Sequence, residues 1–521
     1  MRKLQGPYVL GSDIGTSGCK SVVLDAGGIV AGWALQSYPT LSLFPGWAEQ
    51  NPSDWFNAFC NTTRHAIQKA EISPEEIVCV CIVGITHNAV LLDIHDRVIR
   101  PSIVYTDIRS IAQSNFLRKE WGERIFNQTW NSMDPLWTWP QLLWIQENEP
   151  EHWRQVKRIL FPKDYVRHQI APSFLSDPID PVGTLLYNPV ENHWISEFIN
   201  NLDLPETAFP QIEPVTQVAG GVTQRASQMT GLRPGTPVIT GTTDTAAEMF
   251  GAGALRKGQF VVKLSTVGRI MAISHKPLPN PIFLNYPHVL PGLWYPGSST
   301  KFAASAFSWA REALWNEPGE AYSYEAMDKI AGQVSPGSGG VLFHPYLAGE
   351  FAPLWDPYLR ANFLGIGREH TRAHFTRAVM EGVAFALRHA LESMMATGLQ
   401  LTEVRLIGGG AVSRLWPQIM ADILSREILV PADTDAAFGA ALLAGVAAGF
   451  FKDEPGEVSK FIRFRSHHCP QPANEGLYSH LFNIYREAAA TVQDISHKLH
   501  QFQTDYQLIG SENTELMEAL S

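Results

Sequence analysis

Two look-alike hairpins constrain this chain more than any other feature. Residues 8–25 (YVLGSDIGTSGCKSVVLD) read as an apolar strand, a polar turn (Asp13, Ile14, Gly15, Thr16, Ser17, Gly18) and a second strand. That is the pattern of a β-hairpin, not of a strand-to-helix crossover. Residues 258–274 (GQFVVKLSTVGRIMAIS) repeat strand, polar turn (Ser265, Thr266, Gly268) and strand, this time without an acid. Glycines at 15 and 18 are expected to reach left-handed dihedrals and to remove side-chain bulk, so that N–H groups of Gly15, Thr16 and Ser17 converge on an anion. Asp13 is then placed to orient a hydrated cation. The P-loop pattern is excluded, because Cys19 occupies the place of its second glycine and a strand follows Lys20 and Ser21. An ordinary hairpin whose Asp13 makes an Asx-turn is the competing account of the first turn taken alone.

The repetition implies an internal duplication, with one hairpin in each of two similar domains that face each other across a cleft. At 521 residues the chain has room for two large domains or three smaller ones. We place the hinge near Gly253 to Gly258, giving an N-terminal domain over 1–253, a C-terminal domain over 254–503 and a polar tail over 504–521.

Three further stretches carry polar groups at strand ends, where open α/β sheets bind ligands. An apolar strand over 77–84 leads into Thr86 and His87, and the next apolar run ends at Asp107 and Arg109. A strand over 238–240 leads through Gly241, Thr242, Thr243 and Asp244 into an Ala-rich helix, which sets a carboxylate and two hydroxyls at a helix N-terminus. A strand from 404 leads into Gly408, Gly409 and Gly410 and then an amphipathic helix capped by Ser413. Glycines there let a flat ring lie on the backbone and leave the helix N-terminus open to phosphate. Each has a plainer account: a core histidine, a surface ion pair, a helix cap, a tight turn. The loop SDPIDPVGTLLYN (176–188) carries Asp177, Asp180 and Thr184, which turn formation alone would explain.

The composition narrows the partners. A formal charge of -11 opposes nucleic-acid and anionic-membrane binding and favours small molecules. Five scattered cysteines read as reduced cytoplasmic thiols, Cys79 and Cys81 being too few and too close for a metal site. The longest charge-free apolar stretch, 436–451, is too short to span a bilayer and reads as a buried helix walling the slot beside the glycine triplet. MRKLQGP lacks the apolar run of a secretory signal.

Taken in one order, DIGTSGCK, GWAEQNPSDW, ITHNAVLLD, RPSIVYTDIR, LFPKDY, SDxxDxxGT, GTTDTAAEMFGAGA, KLSTVG, PYLAGE, AVMEGVAFAL, LIGGGAVSRLWPQIMAD and AAFGAALLAG resemble the FGGY carbohydrate kinases, and within them the xylulokinase branch. The resemblance implies an α/β protein of two ribonuclease-H-like domains with the actin-like ATPase superfold, binding ATP and Mg²⁺. It implies Asp13 as the magnesium-associated acid, Gly15, Thr16 and Ser17 as the first phosphate loop, and Thr266 with Gly268 as the second. Asp244 matches the catalytic base and also touches the sugar, Thr86, His87 and Asp107 match sugar contacts, and Gly409, Gly410 and Ser413 match the adenosine site. The implied reaction is phosphorylation of the terminal hydroxyl of a ketopentose such as D-xylulose, at O5. A kinase for another pentulose, polyol or sugar acid stands beside it, and family precedent is compatible with a homodimer. The xylulokinase pattern is broken at the residue before His87 and at Asn88, at Gln141 where lysine is usual, at Phe351 where arginine is usual, and at Ser265 and Val267 in the second turn. An ATPase switch of the actin or heat-shock type has no use for the polar groups of THN and YTDIR, and an inactive sugar-binding relative has no need of both Asp13 and Asp244.

Overall fold

The computed structural model describes residues 6–315, 322–452 and 455–506, and its chain divides into two units. The first takes the chain up to Leu255 together with His275–Trp294 and Asp433–Ile462. The second takes Arg256–Ser274, Tyr295–Ala432 and the chain from Arg463 on. Most of the tail expected over 504–521 lies outside the described residues.

The opening hairpin forms as read. Strand β1 (Tyr8–Ile14) pairs antiparallel with β2 (Gly18–Asp25), Tyr8 opposite Asp25 and Ile14 opposite Cys19. Strand β3 (Val30–Ser37) closes that side as an edge that alternates outward Trp33 and Leu35 with inward Gly32 and Ala34, the period-2 signature of a half-buried strand. Helix α1 (Pro52–Ala70) covers this side with Trp55, Phe56, Phe59 and Ile67. Its cap is Asn51, whose side chain accepts from the Ser53 N–H at 3.1 Å; Pro52 suits the first helical position because that N–H has no intrahelical partner.

Strand β4 (Ile77–Gly84) lies parallel to β1 and buries nearly every residue, as a central parallel strand must. After helix α2 (Pro162–Ile170), the strands β5 (Val218–Gly221) and β6 (Pro237–Ile239) complete the sheet, and helix α3 (Asp244–Gly251) follows. The order is β5-β6-β4-β1-β2-β3, with β6 parallel to β4 and β5 antiparallel at the edge.

The second unit repeats this plan. The second hairpin is β7 (Gln259–Leu264) and β8 (Gly268–Ala272), followed by β9 (Gly297–Thr300). Helix α4 (Arg372–Met395) leads to β10 (Glu403–Ile407), then helix α5 (Trp416–Leu424) to β11 (Ile428–Pro431). Helix α6 (Ala436–Ala447) intervenes before the edge strand β12 (Phe464–His468) and the long helix α7 (Pro472–Asp505). Read from the opposite end, the order β9-β8-β7-β10-β11-β12 repeats the strand directions of the first sheet, except that the antiparallel edge strand follows its neighbour in the chain here (β12 after β11) and precedes it there (β5 before β6). This is the duplication that the two hairpins announced.

Helix α6 belongs to the first unit. Its Ala/Gly composition is a packing requirement. A Cβ on Gly11 of β1 would lie 2.2 Å from the Ala441 nitrogen, and one on Gly439 would lie 1.9 Å from the Ala247 carbonyl oxygen of α3. Helix and sheet therefore meet backbone to backbone, where only glycine fits. Asp435 caps α6 by accepting from the Phe438 N–H at 2.9 Å, and the Lys20 ammonium on β2 holds the same carboxylate at 2.7 Å. All five cysteines are free thiols, and among the described residues no helix is long and apolar enough to cross a membrane.

Candidate active site

Three parallel strands of the first unit end side by side. Ile14 pairs with Gly84, Gly84 bridges to Thr243, and the Gly84 N–H donates to the Thr242 carbonyl at 3.3 Å. The first hairpin turn, the Thr86–His87 segment and Asp244 thus leave the sheet along one edge. With neighbouring strands about 4.8 Å apart, Asp13 and Asp244 are roughly two strand spacings from each other. Tyr38 senses both: burial first, then the Cys19 thiol and the Asp13 and Asp244 carboxylates, push its phenol pKa upward, and its hydroxyl donates to the Gly15 carbonyl.

Asp244 is not the cap of its helix. Thr243 is, its Oγ1 accepting from the Ala246 N–H at 3.3 Å. Asp244 is the first helical residue and half-buried, and its Oδ1 accepts from the Thr245 N–H at 2.6 Å. Its Oδ2 takes no hydrogen bond from the described residues. The capping duty that would have explained the residue away falls on its neighbour.

In the first turn the glycines serve space and not dihedral freedom, since neither Gly15 nor Gly18 adopts a positive φ. A Cβ on Gly18 would sit 2.6 Å from the Gln36 carbonyl oxygen. The Gly15 N–H is spent on the Gly18 carbonyl at 3.0 Å, whereas among the described residues no backbone carbonyl accepts from Thr16 or Ser17. The tip is tied down from outside: Gln50 Nε2 donates to the Thr16 carbonyl at 2.7 Å, and the Tyr105 hydroxyl lies 3.4 Å from Thr16 Oγ1.

His87 is buried at a left-handed φ of 71°, its ring stacked on Trp137 at 4.5 Å and hydrogen-bonded through Nε2 to the Tyr286 hydroxyl. The turn containing Gly183 presses against it from below, where a Cβ would lie 2.5 Å from Thr86 Oγ1. Asp107 is differently occupied. Its carboxylate accepts from the Ala48 N–H, the Arg109 N–H and the Arg109 guanidinium, with Nη2 to Oδ2 at 2.7 Å. Arg109 in turn reaches Glu49 at 2.6 Å and stacks on Trp47. A carboxylate has about four acceptor sites, and these contacts fill them, so in this structure Asp107 anchors its loop and has no lone pair to spare.

Sequence reasoning passed over the charged network beneath this edge. Lys163, at the start of α2, is buried with its ammonium 2.6 Å from Asp164, 3.0 Å from Asp177 and 3.6 Å from Asp180. Burial lowers its pKa, but the three carboxylates outweigh that and the net push is upward. Asp177 also accepts from Thr242 Oγ1 at 2.8 Å, and Arg167 donates to Asp164 and to the Thr240 carbonyl at 2.8 Å. The network therefore holds the segment that carries Asp244. Its signal in the sequence was three charges, Lys163, Asp164 and Arg167, inside an otherwise apolar run.

In the second unit, the Ser265 and Thr266 carbonyls accept from the N–H groups of Ala304 (2.8 Å) and Ala303 (3.1 Å), which fixes the second turn. A Cβ on Gly268 would meet Thr300 Oγ1 at 2.5 Å. Of the glycine triplet, Gly408 has a φ of 89° and Gly410 packs on Leu264, while Gly409 is exposed with nothing within 4 Å of where its Cβ would be. Ser413 Oγ accepts from the N–H groups of Leu415 and Trp416 at 3.1 and 2.9 Å, but the N-cap position of α5 is Leu415, without a side-chain cap, and not Ser413 as expected. Phe351, also in this unit, lies under the Lys301 ammonium at 5.4 Å, and burial pushes the neighbouring Glu350 up to about 8. Gln141 is buried in the first unit.

Two sheets of one topology, each opening with a polar-turned hairpin, define the actin-like ATPase fold in its ribonuclease-H-like form. The N-terminal domain model of the FGGY family of carbohydrate kinases matches residues 8–251 and the C-terminal domain model matches 264–448. The chain belongs to the FGGY family and is an ATP-dependent sugar kinase. It is 30% identical to the xylulose kinase of Staphylococcus epidermidis, over 92% of this chain and 95% of that protein. It is 26% identical to the gluconokinase of Bacillus subtilis, over 92% of this chain and 94% of that one. The crystal structure of xylulose kinase from Rhodospirillum rubrum superposes with a TM-score of 0.86 at 28% identity, covering 94% of this chain and all of that one.

Proposed function

We propose that this kinase transfers the γ-phosphoryl group of ATP to the terminal hydroxyl of D-xylulose, giving the 5-phosphate, with Asp244 as the acceptor of the alcohol proton. The observation that carries the reading is the placement of Asp13 and Asp244 on one sheet edge of one unit, with Thr243 relieving Asp244 of the helix cap.

Phosphoryl transfer needs alignment, charge neutralisation and a proton acceptor more than covalent help. Thr86 and His87 are the groups we assign to the sugar; the stack of His87 on Trp137 keeps the imidazole edge in one orientation. Asp244 Oδ2 receives the proton late, as the phosphorus–oxygen bond forms, which a carboxylate can do in a loose transition state. The N–H groups of Thr16 and Ser17 on one turn, and Thr266 with Gly268 on the other, are assigned to the phosphates. The open face of Gly409, with Gly410 and Ser413, is assigned to adenosine. Asp107 positions its loop through Arg109.

Asp13 is a half-buried carboxylate at a strand end beside a turn whose Gly18 admits no side chain, which fits a hydrated Mg²⁺ held with a triphosphate. When bound, Mg²⁺ neutralises charge on the phosphate oxygens.

The test is ADP release across ketopentoses, polyols and sugar acids. We expect kcat/KM to be highest for D-xylulose. A larger value for D-gluconate or another sugar acid would replace the substrate while keeping the chemistry, an outcome for which the gluconokinase relative and the altered Thr86 and Gln141 supply the reason.

A further inference from the structure

The outer edge of the second sheet carries a cluster that sugar phosphorylation does not use. Strands β11 and β12 pair antiparallel, with Ile428 opposite His468 and Leu429 opposite His467. Continuing that register sets Glu427 across from Cys469, and the period of two puts Cys469 on the same face as His467. The side chains meet there: His467 Nε2 contacts Glu427 Oε1 and lies 3.9 Å from Cys469 Sγ. One ligand atom from each residue falls within 4.8 Å of the others, and all three residues are exposed.

We propose that Glu427, His467 and Cys469 form a binding site for a borderline transition-metal cation of the Zn²⁺ class. Imidazole nitrogen, thiolate sulfur and carboxylate oxygen are the donor types that Zn²⁺ takes, at about 2.0–2.3 Å each. In a tetrahedral site those bond lengths put neighbouring donors roughly 3.3–3.7 Å apart, so the nitrogen-to-sulfur distance needs to close by a few tenths of an ångström and the direct His467–Glu427 contact to open to admit the ion. His467 lies in β12, Cys469 directly follows that strand and Glu427 directly precedes β11, so the pairing of Ile428 with His468 sets the three side by side before any ion arrives. The donor set separates this site from one for Mg²⁺ or Ca²⁺, which prefer oxygen. Three protein ligands leave the fourth position to water. The other four cysteines are buried, so Cys469 is the only thiol exposed to solvent among the described residues.

Full-length protein, stripped with chelator and kept reduced, is titrated with Co²⁺ as a spectroscopic stand-in and then with Zn²⁺. We expect one equivalent of Co²⁺ to give a thiolate-to-metal charge-transfer band that Zn²⁺ bleaches. Cys469→Ser should abolish the band, and His467→Ala should weaken Zn²⁺ binding by more than about tenfold. Zn²⁺ should raise the melting temperature of the wild type and not of the double variant, with Mg²⁺-dependent sugar phosphorylation alike in both. Absence of the band in the wild type, or equal Zn²⁺ affinity in the double variant, would show Glu427 and His467 to be an ordinary surface ion pair beside an uninvolved thiol.

Discussion

Asp13 and Asp244 lie at the ends of strand paths separated by a single neighbour. Asp13 pairs with Val83, and Gly84, the next residue, bridges to Thr243. Residues 231 positions apart in sequence are thereby fixed on one sheet edge by backbone hydrogen bonds, which do not depend on how either side chain rotates.

Replacing Asp244 by Asn keeps the size and the acceptor oxygen for the Thr245 N–H while removing the proton acceptor. We expect kcat to fall by about 10²–10⁴-fold with ATP affinity by calorimetry little changed. A variant that retains full turnover would leave Asp244 with no chemical role.

Gly409 and Gly410 should part company. Gly409→Ala meets open space, so unfolding by urea should change by less than about 0.5 kcal/mol, while KM for ATP rises severalfold if adenosine lies there. Gly410→Ala drives a Cβ to 2.7 Å from that of Leu264, and should cost about 1–3 kcal/mol of stability. Equal behaviour of the two variants would contradict the assignment.

Lys163→Met leaves Asp164, Asp177 and Asp180 buried without their shared cation. Breaking a buried pair by removing one partner typically costs about 3–5 kcal/mol, and we expect a loss of that order in chemical denaturation. Because Asp177 and Arg167 also hold Thr242 and Thr240, kcat should drop in whatever fraction remains folded.

His288 is buried neutral, its Nδ1 accepting from the Leu290 N–H at 3.0 Å, and burial lowers its pKa to about 3. A base depressed in the folded state stabilises the fold above its unfolded pKa near 6.5, and that stability drains away as pH falls toward 3. Between pH 7.5 and pH 5 the His288 contribution should shrink by roughly 2 kcal/mol. Urea titrations at both pH values should show a smaller fall for His288→Gln than for the wild type.

The turns and strand ends that carry the candidate residues were legible because they rest on local chemistry. The acid-bearing turn, the acid-free turn, the strand ending before Thr86 and the strand-to-helix passage into Asp244 each occupy a few contiguous residues. The errors came where a neighbour in space took over a job. Thr243 takes the cap of α3 that was the plainer account of Asp244, and Gly15 and Gly18 are kept for close approach and not for positive φ. Asp107 looked available because nothing local shows that Ala48 and Arg109 already fill its lone pairs. Lys163 was overlooked because a lysine inside an apolar run reveals its partners only once residues 163 and 177–180 meet.

The sequence by itself determined the two hairpins, their duplication and the residue types able to handle phosphate, sugar and a proton, since these follow from strand periodicity, turn chemistry and side-chain functional groups. Only the tertiary structure decided that α6 returns to seat on Gly11, that a buried lysine braces the Asp244 segment, and that Ala48 and Arg109 occupy the Asp107 carboxylate. Those outcomes depend on which backbones come within van der Waals contact and which lone pairs are already taken. Both are properties of neighbours in space, which no window of consecutive residues contains.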